Sequence, residues 1–216
     1  MDSRWSIAIH GGAGTILREN LSEAQVAEYQ DSLAAALGAG AKLLAEGGSA
    51  LDAAVAAVAL LEDDPLFNAG RGATFTFDGG IELDAAVMDG RGRTAGAVAA
   101  VTSVRNPVLL ARAVMERGPH VFLGGAGAER FAREHGFAEI DPVWFETPER
   151  RRQFEEFSAR GGDWCRQRGR CWWPRGGCGR PCGGTARRIL GSARRRSQFT
   201  SRAVDRIDGR AGGRIE

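Results

Sequence analysis

The chain has 216 residues, enough for one domain or for one domain with an attached tail. Its formal net charge of +2 hides an asymmetry: residues 1–160 carry a net charge of −8, whereas residues 161–216 carry +10 together with all four cysteines. The cysteine-free acidic part excludes a disulfide framework there and suits a reducing compartment. No signal-peptide pattern opens the chain and no apolar stretch is long enough to cross a membrane, so we expect a cytoplasmic protein without a membrane partner.

The acidic part begins with a pattern typical of one strand and two helices. Residues 4–10 alternate and stop at a glycine turn that starts with Gly11. Ser22 stands three residues before a glutamine, the spacing of a capping box, and Ser49 opens a second helix in the same manner. The second helix is lined with alanine, so we expect the two helices to pack side by side. Pro65 prevents the second helix from continuing.

After Pro65 the pattern changes from helical to extended. Residues 73–77 and 81–88, separated by an Asp-Gly-Gly turn, predict a β-hairpin, and residues 94–101 predict a third strand. Three further helices are expected at residues 107–117, 125–135 and 148–158. Helices before and after an antiparallel meander in the chain indicate a layered α/β arrangement. Residues 161–216 show no sustained apolar period, so no helix or strand is predicted there.

Two glycine-containing segments are candidate ligand sites. His10 precedes Gly11 and Gly12, which let a backbone approach a ligand closely and let N–H groups converge on an anion. Asn68 stands with two glycines in the loop after Pro65, where its side chain offers both donors and an acceptor. Taken alone, the first segment favours a tight turn, and the second suits a turn and a site equally. His10 alone favours a buried, hydrogen-bonded histidine.

Glu82 and Asp84 form a third candidate, because side chains of a strand alternate and these two share one face. Paired carboxylates can perform acid–base chemistry. No histidine or nucleophile stands near them in sequence, so an edge or hydrogen-bonding role is favoured.

Six short segments are individually weak motifs, but together and in this order they resemble a known family. They are Ile-Ala-Ile-His-Gly-Gly-Ala-Gly at 7–14, Ser-Ala-Leu-Asp-Ala-Ala at 49–54, Pro-Leu-Phe-Asn-Ala-Gly at 65–70, Glu-Leu-Asp-Ala with Val-Met-Asp-Gly within 82–90, Ala-Gly-Ala-Val at 95–98, and Arg-Asn-Pro-Val through Val-Met-Glu at 105–116. The series closely resembles the plant-type asparaginase, or isoaspartyl peptidase, family. The resemblance covers about residues 5–160.

The resemblance implies an α/β (α+β) protein with the αββα-sandwich fold of N-terminal-nucleophile hydrolases, incomplete in this chain. Such a precursor cuts itself before a threonine, and the freed threonine becomes both nucleophile and base. The substrates implied are asparagine or an isoaspartyl dipeptide, and the complete enzyme is implied to be a homo-oligomer of αβ units. Gly11, Gly12 and Asn68 would lie beside the nucleophile pocket and support it.

The same resemblance implies no cofactor other than a structural sodium ion. The family's sodium loop binds its ion through backbone carbonyls, which suit a hard cation. The matching residues here are Leu61, Glu62, Asp64, Phe67, Ala69 and Arg71.

The resemblance stops where the family places its chemistry. A Gly-Thr-Val-Gly-Ala-Val-type strand, an Arg-Val-Gly-Asp segment and a later Thr-Gly pair are all missing from residues 161–216. The threonines of this region, Thr185 and Thr200, stand in unrelated contexts. No catalytic residue is therefore assigned, and we expect this chain to be inactive and to expose surfaces that its missing half would cover.

Residues 161–216 allow three interpretations. The spacing of Cys165, Cys171, Cys178 and Cys182 lacks the short paired motifs that indicate zinc. Arginines with paired tryptophans could bind nucleic acid, but no nucleic-acid-binding motif accompanies them. We favour a shifted reading frame, because arginine, glycine, tryptophan, cysteine and proline are what GC-rich codons give out of frame. Read one base later from Gly162, such codons can encode a small residue followed by Thr-Gly-Ala-Val.

Two function hypotheses follow from this sequence. The first is a threonine amidohydrolase of which residues 1–160 form the α-subunit-like part and residues 161–216 an aberrant tail. The second is a non-enzymatic binding module with a basic tail that binds metal or nucleic acid.

Overall fold

The computed structural model describes residues 5–11 and 21–159. In chain order the elements of this part are α1 (Glu23–Ala45), α2 (Ala50–Asp63), β1 (Leu83–Asp89), β2 (Thr94–Val101), α3 (Pro107–Arg117), β3 (Phe122–Gly124), α4 (Gly125–Glu134), a 3-10 helix (Pro142–Phe145) and α5 (Pro148–Ala159). The mixed α/β class is confirmed. Gly12 and the tail at residues 161–216 lie outside the described residues, so the division of the chain near residue 160 stays a prediction.

Reciprocal capping boxes start both N-terminal helices, as their sequences predict. The Gln25 backbone N–H donates to Ser22 Oγ at 3.2 Å, and the Ser22 backbone N–H donates to Gln25 Oε1 at 2.9 Å. Ser49 and Asp52 form the same pair at 3.0 and 3.4 Å. Each box satisfies two backbone donors that a helix N-terminus leaves without intrahelical acceptors.

Helices α1 and α2 pack against each other, and small residues make this packing close. A Cβ added at Gly40 would lie 3.0 Å from the Ala53 carbonyl oxygen and 2.5 Å from Ile7 Cδ1. Ala53 and Ala57 are buried on α2. The predicted adjacency of the two helices is confirmed, and the alanine-lined face is what allows it.

The sheet has the order β1-β2-β3, and one of its faces is covered by helices. Ala85 pairs with Val98 across the antiparallel β1–β2 ladder, and Val98 pairs with Leu123 across the parallel β2–β3 ladder. These three residues pack with Leu110 and Val114 of α3 in the largest core cluster of the described part. The covered face therefore attaches α3 and α4 to the sheet.

Alternation places a second set of apolar side chains on the opposite face of the sheet, here called the open face. Its members are Ala86, Met88, Ala95, Ala97, Ala99 and Phe122. Met88 is 56% exposed and Phe122 is 57% exposed. Large, exposed apolar side chains on one face of a sheet are typical of a surface that a second layer of protein structure covers.

The predicted hairpin at residues 73–88 is wrong in its first half. Residues 73–77 form no strand, although the turn is present, with the Gly79 backbone N–H donating to the Thr76 carbonyl at 3.0 Å. The alternation has another cause: Ala73 is buried in a cluster with Phe145, Phe75 packs against this cluster, and Phe77 is exposed. Alternation reports which side chains are buried, whereas a strand also needs a hydrogen-bonded neighbour.

The antiparallel meander is wrong for a related reason. Its second and third members are confirmed as β1 and β2, which pair antiparallel. Its first member, residues 73–77, is absent, and the third strand of the sheet is β3, which follows α3 and pairs with β2 in the parallel direction. Residues 5–11 also form no strand. The predicted helices at residues 107–117, 125–135 and 148–158 are confirmed to within one residue at their ends.

Candidate functional site

Gly11, which starts the predicted glycine turn, lies directly against the loop that carries Asn68. A Cβ added at Gly11 would lie 2.3 Å from Leu33 Cδ2 and 2.9 Å from Phe67 Cε1, so a larger residue would fit only if Gly11 or these side chains moved. Phe67 is buried, and its ring lies edge-on to Tyr29 at 5.8 Å between centroids. Since Phe67 precedes Asn68 in the chain, the fold brings two of the segments singled out in the sequence together.

Asn68 has its side-chain amide oriented by the backbone of the same loop. The Thr74 backbone N–H donates to Asn68 Oδ1 at 2.9 Å. A backbone N–H can only donate, so the oxygen must face Thr74 and the NH2 group must face the other way. Asn68 is exposed, and its NH2 group forms no hydrogen bond within the described part of the chain. The side chain thus leaves the two N–H donors of this group exposed.

Two glycines fold this loop back against the end of α2. Gly70 and Gly72 have φ values of +52° and +93°, in the left-handed region that favours glycine. A Cβ at Gly70 would lie 2.3 Å from the Glu62 carbonyl oxygen, and one at Gly72 would lie 2.4 Å from the Pro65 carbonyl oxygen. The Arg71 backbone N–H donates to the Glu62 carbonyl at 2.7 Å. The result is a compact turn that is lined by main-chain oxygens.

The residues of the predicted sodium loop fit carbonyl coordination rather than a carboxylate cluster. The Leu61 carbonyl would accept from residue 65 in a regular helix, but Pro65 has no N–H. The Asp64 carboxylate already accepts the Leu66 backbone N–H at 2.9 Å. Among the described residues, no group of three or more His, Cys, Asp or Glu side chains could hold a metal ion. The loop is therefore compatible with a hard cation held by main-chain oxygens, and binding of such a cation stays a proposal.

The side chains of the six loop residues differ in their exposure. Leu61, Glu62 and Phe67 are buried, Asp64 and Ala69 are half-buried, and Arg71 is exposed.

Glu62 is a buried carboxyl group that sequence reasoning assigned only a main-chain role. Its side chain is 3% exposed, and Oε1 accepts the Val108 backbone N–H at 2.9 Å. Oε2 has no hydrogen-bond partner within the described part. Burial raises the pKa of Glu62 from 4.5 to about 7, although the bond from Val108 opposes this shift. The group ties the end of α2 to the start of α3.

Asp63 joins the same two helices from the outer side. Arg105 donates to both of its carboxylate oxygens, from Nε at 3.0 Å and from Nη2 at 3.1 Å, and Asn106 Nδ2 donates at 3.2 Å. The Arg105 guanidinium also lies 5.0 Å from the centre of the Trp144 ring, and that of Arg71 lies 5.7 Å from it. The loop after α2, the start of α3 and the 3-10 helix therefore meet at one point.

The paired carboxylates Glu82 and Asp84 are both exposed. Asp84 Oδ1 accepts the backbone N–H of Ala100 at 2.9 Å, across an irregularity in the β1–β2 ladder. Ala100 has a φ of +53°, so this bond supports a strained turn of the backbone. For Asp84 the geometry matches the hydrogen-bonding role that the sequence favoured over acid–base chemistry.

Three long-range interactions around the site could not be found from sequence. They are the Glu62–Val108 hydrogen bond, the Asp63–Arg105 ion pair, and a bond from Arg150 Nε to the Gly72 carbonyl. Each joins residues more than 40 positions apart, and no local pattern marks such a pairing. The only signal available was the clustering of Glu62 and Asp63 at the predicted end of a helix.

Comparisons with known proteins identify related sequences. A family model described as asparaginase matches residues 3–169. An isoaspartyl peptidase of Salmonella typhimurium is 53% identical over 155 residues, which cover 72% of this chain and 50% of the relative. A plant-type L-asparaginase of Pyrococcus abyssi is 46% identical over 155 residues, covering 72% and 48%. An isoaspartyl peptidase/L-asparaginase of Mus musculus is 42% identical over 134 residues, covering 62% and 40%. The chain thus spans about half the length, or less, of these curated relatives.

Proposed function

This chain belongs to the asparaginase family, and on that premise we propose that residues 1–160 form the supporting half of a threonine-nucleophile isoaspartyl peptidase or L-asparaginase. The observation that carries the proposal is the packing of Gly11 against Phe67, which brings Gly11 beside the Asn68 loop. The proposed fold of the complete enzyme is the αββα sandwich. Its open face at Met88 and Phe122 is where we expect the second sheet to pack.

The chemistry proposed for the complete enzyme is acyl transfer to a threonine. The threonine hydroxyl oxygen attacks the side-chain carbonyl carbon of asparagine or of an isoaspartyl peptide, while its proton passes to the threonine's own α-amine. The C–N bond then breaks as the proton moves to the leaving ammonia or amine, and water hydrolyses the ester to release aspartate. In this scheme the exposed NH2 group of Asn68 donates to an acceptor in the nucleophile pocket. Gly11 and Gly12, which lack side chains, leave room for the pocket beside Asn68.

For the 216-residue chain itself we propose that this chemistry does not take place. Thr185 stands in Gly-Gly-Thr-Ala-Arg and Thr200 in Gln-Phe-Thr-Ser-Arg, and neither context provides the nucleophile strand. The test is to purify the chain, record its intact mass over time, and measure the ammonia released from asparagine. We expect one uncut species and background release. Cleavage near residue 161, or ammonia release above background, would show that a threonine of this chain is active.

The complete enzyme is proposed to be cytoplasmic and to assemble from αβ units, with a sodium ion held by the carbonyls of the loop at Leu61 to Arg71. Among the described residues no helix is long and apolar enough to cross a bilayer.

A second function rests on the net charge of +10 at residues 161–216. If this region is a genuine basic module, it should bind nucleic acid with an affinity that falls steeply as salt concentration rises. Measuring how tightly the chain binds a labelled nucleic-acid duplex at low and at high salt separates the two functions. The hydrolase function predicts no specific complex.

A further inference from the structure

Helix α5 lies over the segment that follows the Asn68 loop and contacts it through one face. The Arg150 guanidinium donates from Nε to the Gly72 carbonyl at 2.6 Å. The Arg151 guanidinium lies 4.5 Å from the centre of the Phe75 ring, and the Phe154 ring lies 5.1 Å from the same ring. Three residues of α5 therefore hold residues 72–75, and none of these contacts has a role in the reaction proposed above.

The start of α5 is itself held by hydrogen bonding and burial, so the residues of α5 that contact residues 72–75 have a fixed position. The Arg150 backbone N–H donates to Thr147 Oγ1 at 3.2 Å, and Thr147 is buried. Phe145, two residues earlier, is fully buried, and its carbonyl accepts the Gly72 backbone N–H at 2.9 Å. Both peptide units that meet at Gly72 are thus held: the Gly72 N–H donates to Phe145, and the Gly72 carbonyl accepts from Arg150.

The hydrogen bonds that fix Gly72 also affect Asn68, because only a few residues separate the two. Gly72 is in the left-handed region, and Ala73 donates its backbone N–H back to the Gly70 carbonyl at 3.1 Å. The next N–H, that of Thr74, is the one that donates to Asn68 Oδ1. A rotation of the Gly72 peptide would move the Thr74 N–H away from Asn68, and the amide would lose the group that sets its orientation.

We propose that Arg150 is a positioning residue for Asn68, because its bond to the Gly72 carbonyl holds the Thr74 N–H that orients the Asn68 amide. This inference rests on the proposed role of Asn68 as a donor in the nucleophile pocket. The guanidinium is suited to the task because it bonds Gly72 through Nε while Nη1 donates to Gln153 Oε1 at 2.9 Å. A charged donor of this kind makes a stronger bond to a carbonyl than a neutral one.

The chain offers a direct test, because it contains three asparagines, Asn20, Asn68 and Asn106. Labelling asparagine alone with 15N gives three side-chain NH2 signals in the full 216-residue protein, and the Asn68 signal is the one lost in Asn68→Asp. The exchange rate of the Thr74 amide is measured in a uniformly labelled sample. Arg150→Met removes the donor and keeps an apolar stem, and Arg150→Lys keeps a charged donor.

Arg152→Met is the matched control, because Arg152 lies in the same helix and pairs with Glu149 and Glu156 of α5 itself. We expect Arg150→Met to shift the Asn68 NH2 signals and to speed Thr74 exchange by about tenfold or more, as loss of a charge-assisted bond implies. Arg150→Lys should restore the Asn68 NH2 signals and the Thr74 exchange rate, and Arg152→Met should leave these two quantities at wild-type values.

Unchanged Asn68 signals and unchanged Thr74 exchange in Arg150→Met would overturn the inference, and so would an equal effect of Arg152→Met. Exchange at Leu110 and Val114 of α3 reports global unfolding. If Arg150→Met unfolds the chain, Arg150→Lys must stay folded with wild-type Asn68 signals, or the inference fails. None of these readouts needs hydrolytic activity, so a failure here leaves the proposed reaction standing, and a failure of that reaction leaves these measurements interpretable.

Discussion

The Glu62 carboxylate accepts the backbone N–H of Val108 at 2.9 Å while its second oxygen stays without a partner in the described part. This contact joins α2 to α3, and it places a group that prefers to be protonated in the interior. The pKa of Glu62 is raised from 4.5 to about 7, mainly by burial.

The first expectation is that Glu62 makes stability depend on pH. Between pH 4.5 and 7 the folded chain holds a proton on Glu62 that the unfolded chain has released, so the free energy of unfolding falls as pH rises through this window. From about one pH unit above 7 the carboxyl group is deprotonated in both states, and the contribution becomes constant. The full change amounts to roughly 3 kcal/mol as an upper limit. Urea unfolding of the wild type and of Glu62→Gln at several pH values measures it, and their difference should fall across this window. A difference that does not change with pH would contradict the account.

The second expectation concerns Ala100, whose φ of +53° is unfavourable for a residue with a Cβ. Ala100→Gly should raise the free energy of unfolding by about 1 kcal/mol, since glycine adopts this conformation without the steric cost. Ala99→Gly is the control, because Ala99 has no positive φ and glycine should lower stability there by about 0.5–1 kcal/mol. Thermal or chemical unfolding gives both values, and equal signs for the two variants would argue against the strained turn.

The third expectation compares two glycines with opposite surroundings. A Cβ at Gly96 would lie 2.2 Å from the Ala111 carbonyl oxygen and 2.5 Å from the Met115 backbone nitrogen, whereas a Cβ at Gly38 in α1 meets nothing within 4 Å. Gly96→Ala should therefore destabilise the chain by about 2 kcal/mol or more, because α3 must move off β2. Gly38→Ala should stabilise it by about 1 kcal/mol, because alanine is the better helix former. A tolerated Gly96→Ala would mean that α3 is not packed this closely.

The open face provides a fourth expectation, about behaviour in solution. Exposed Met88 and Phe122 on a sheet favour association between copies of the chain. The double variant Met88→Lys with Phe122→Lys should increase the monomer fraction severalfold in sedimentation velocity. A control with the same charge change on the helices, Leu37→Lys with Val58→Lys, should have a smaller effect. A wild-type chain that is fully monomeric would contradict the expectation directly.

Local rules predicted the helices of this fold together with β1 and β2, but they placed strands wrongly at residues 5–10 and 73–77 and missed β3. The Ser22 and Ser49 caps were readable because each joins residues three positions apart, and Pro65 stops α2 by its own chemistry. In residues 73–77, Ala73 and Phe75 are apolar for a reason that sequence could not show, namely packing in the cluster that contains Phe145.

Some residues of the candidate site could likewise be identified from the sequence, whereas others could be identified only from the fold. Gly11 and Asn68 were singled out by residue type and by resemblance, and the fold places their segments in contact through Phe67. The Thr74 N–H that orients Asn68 lies six residues away, where the sequence predicted a strand pair instead. Arg150 could not have been chosen among the arginines of α5, because what distinguishes it is the Gly72 carbonyl in front of it.

The central claim is that residues 1–160 are the supporting half of a threonine hydrolase and that the sequence after residue 160 is read out of frame. The most direct measurement is aspartate release from an isoaspartyl dipeptide by protein made from the gene with the frame shifted by one base near the codons for Gly161–Asp163. We expect this protein to split into two fragments, the second starting with threonine, and to release aspartate, while the 216-residue chain does neither. A shifted frame that is interrupted by stop codons, or a restored protein that stays uncut and inactive, would contradict the claim.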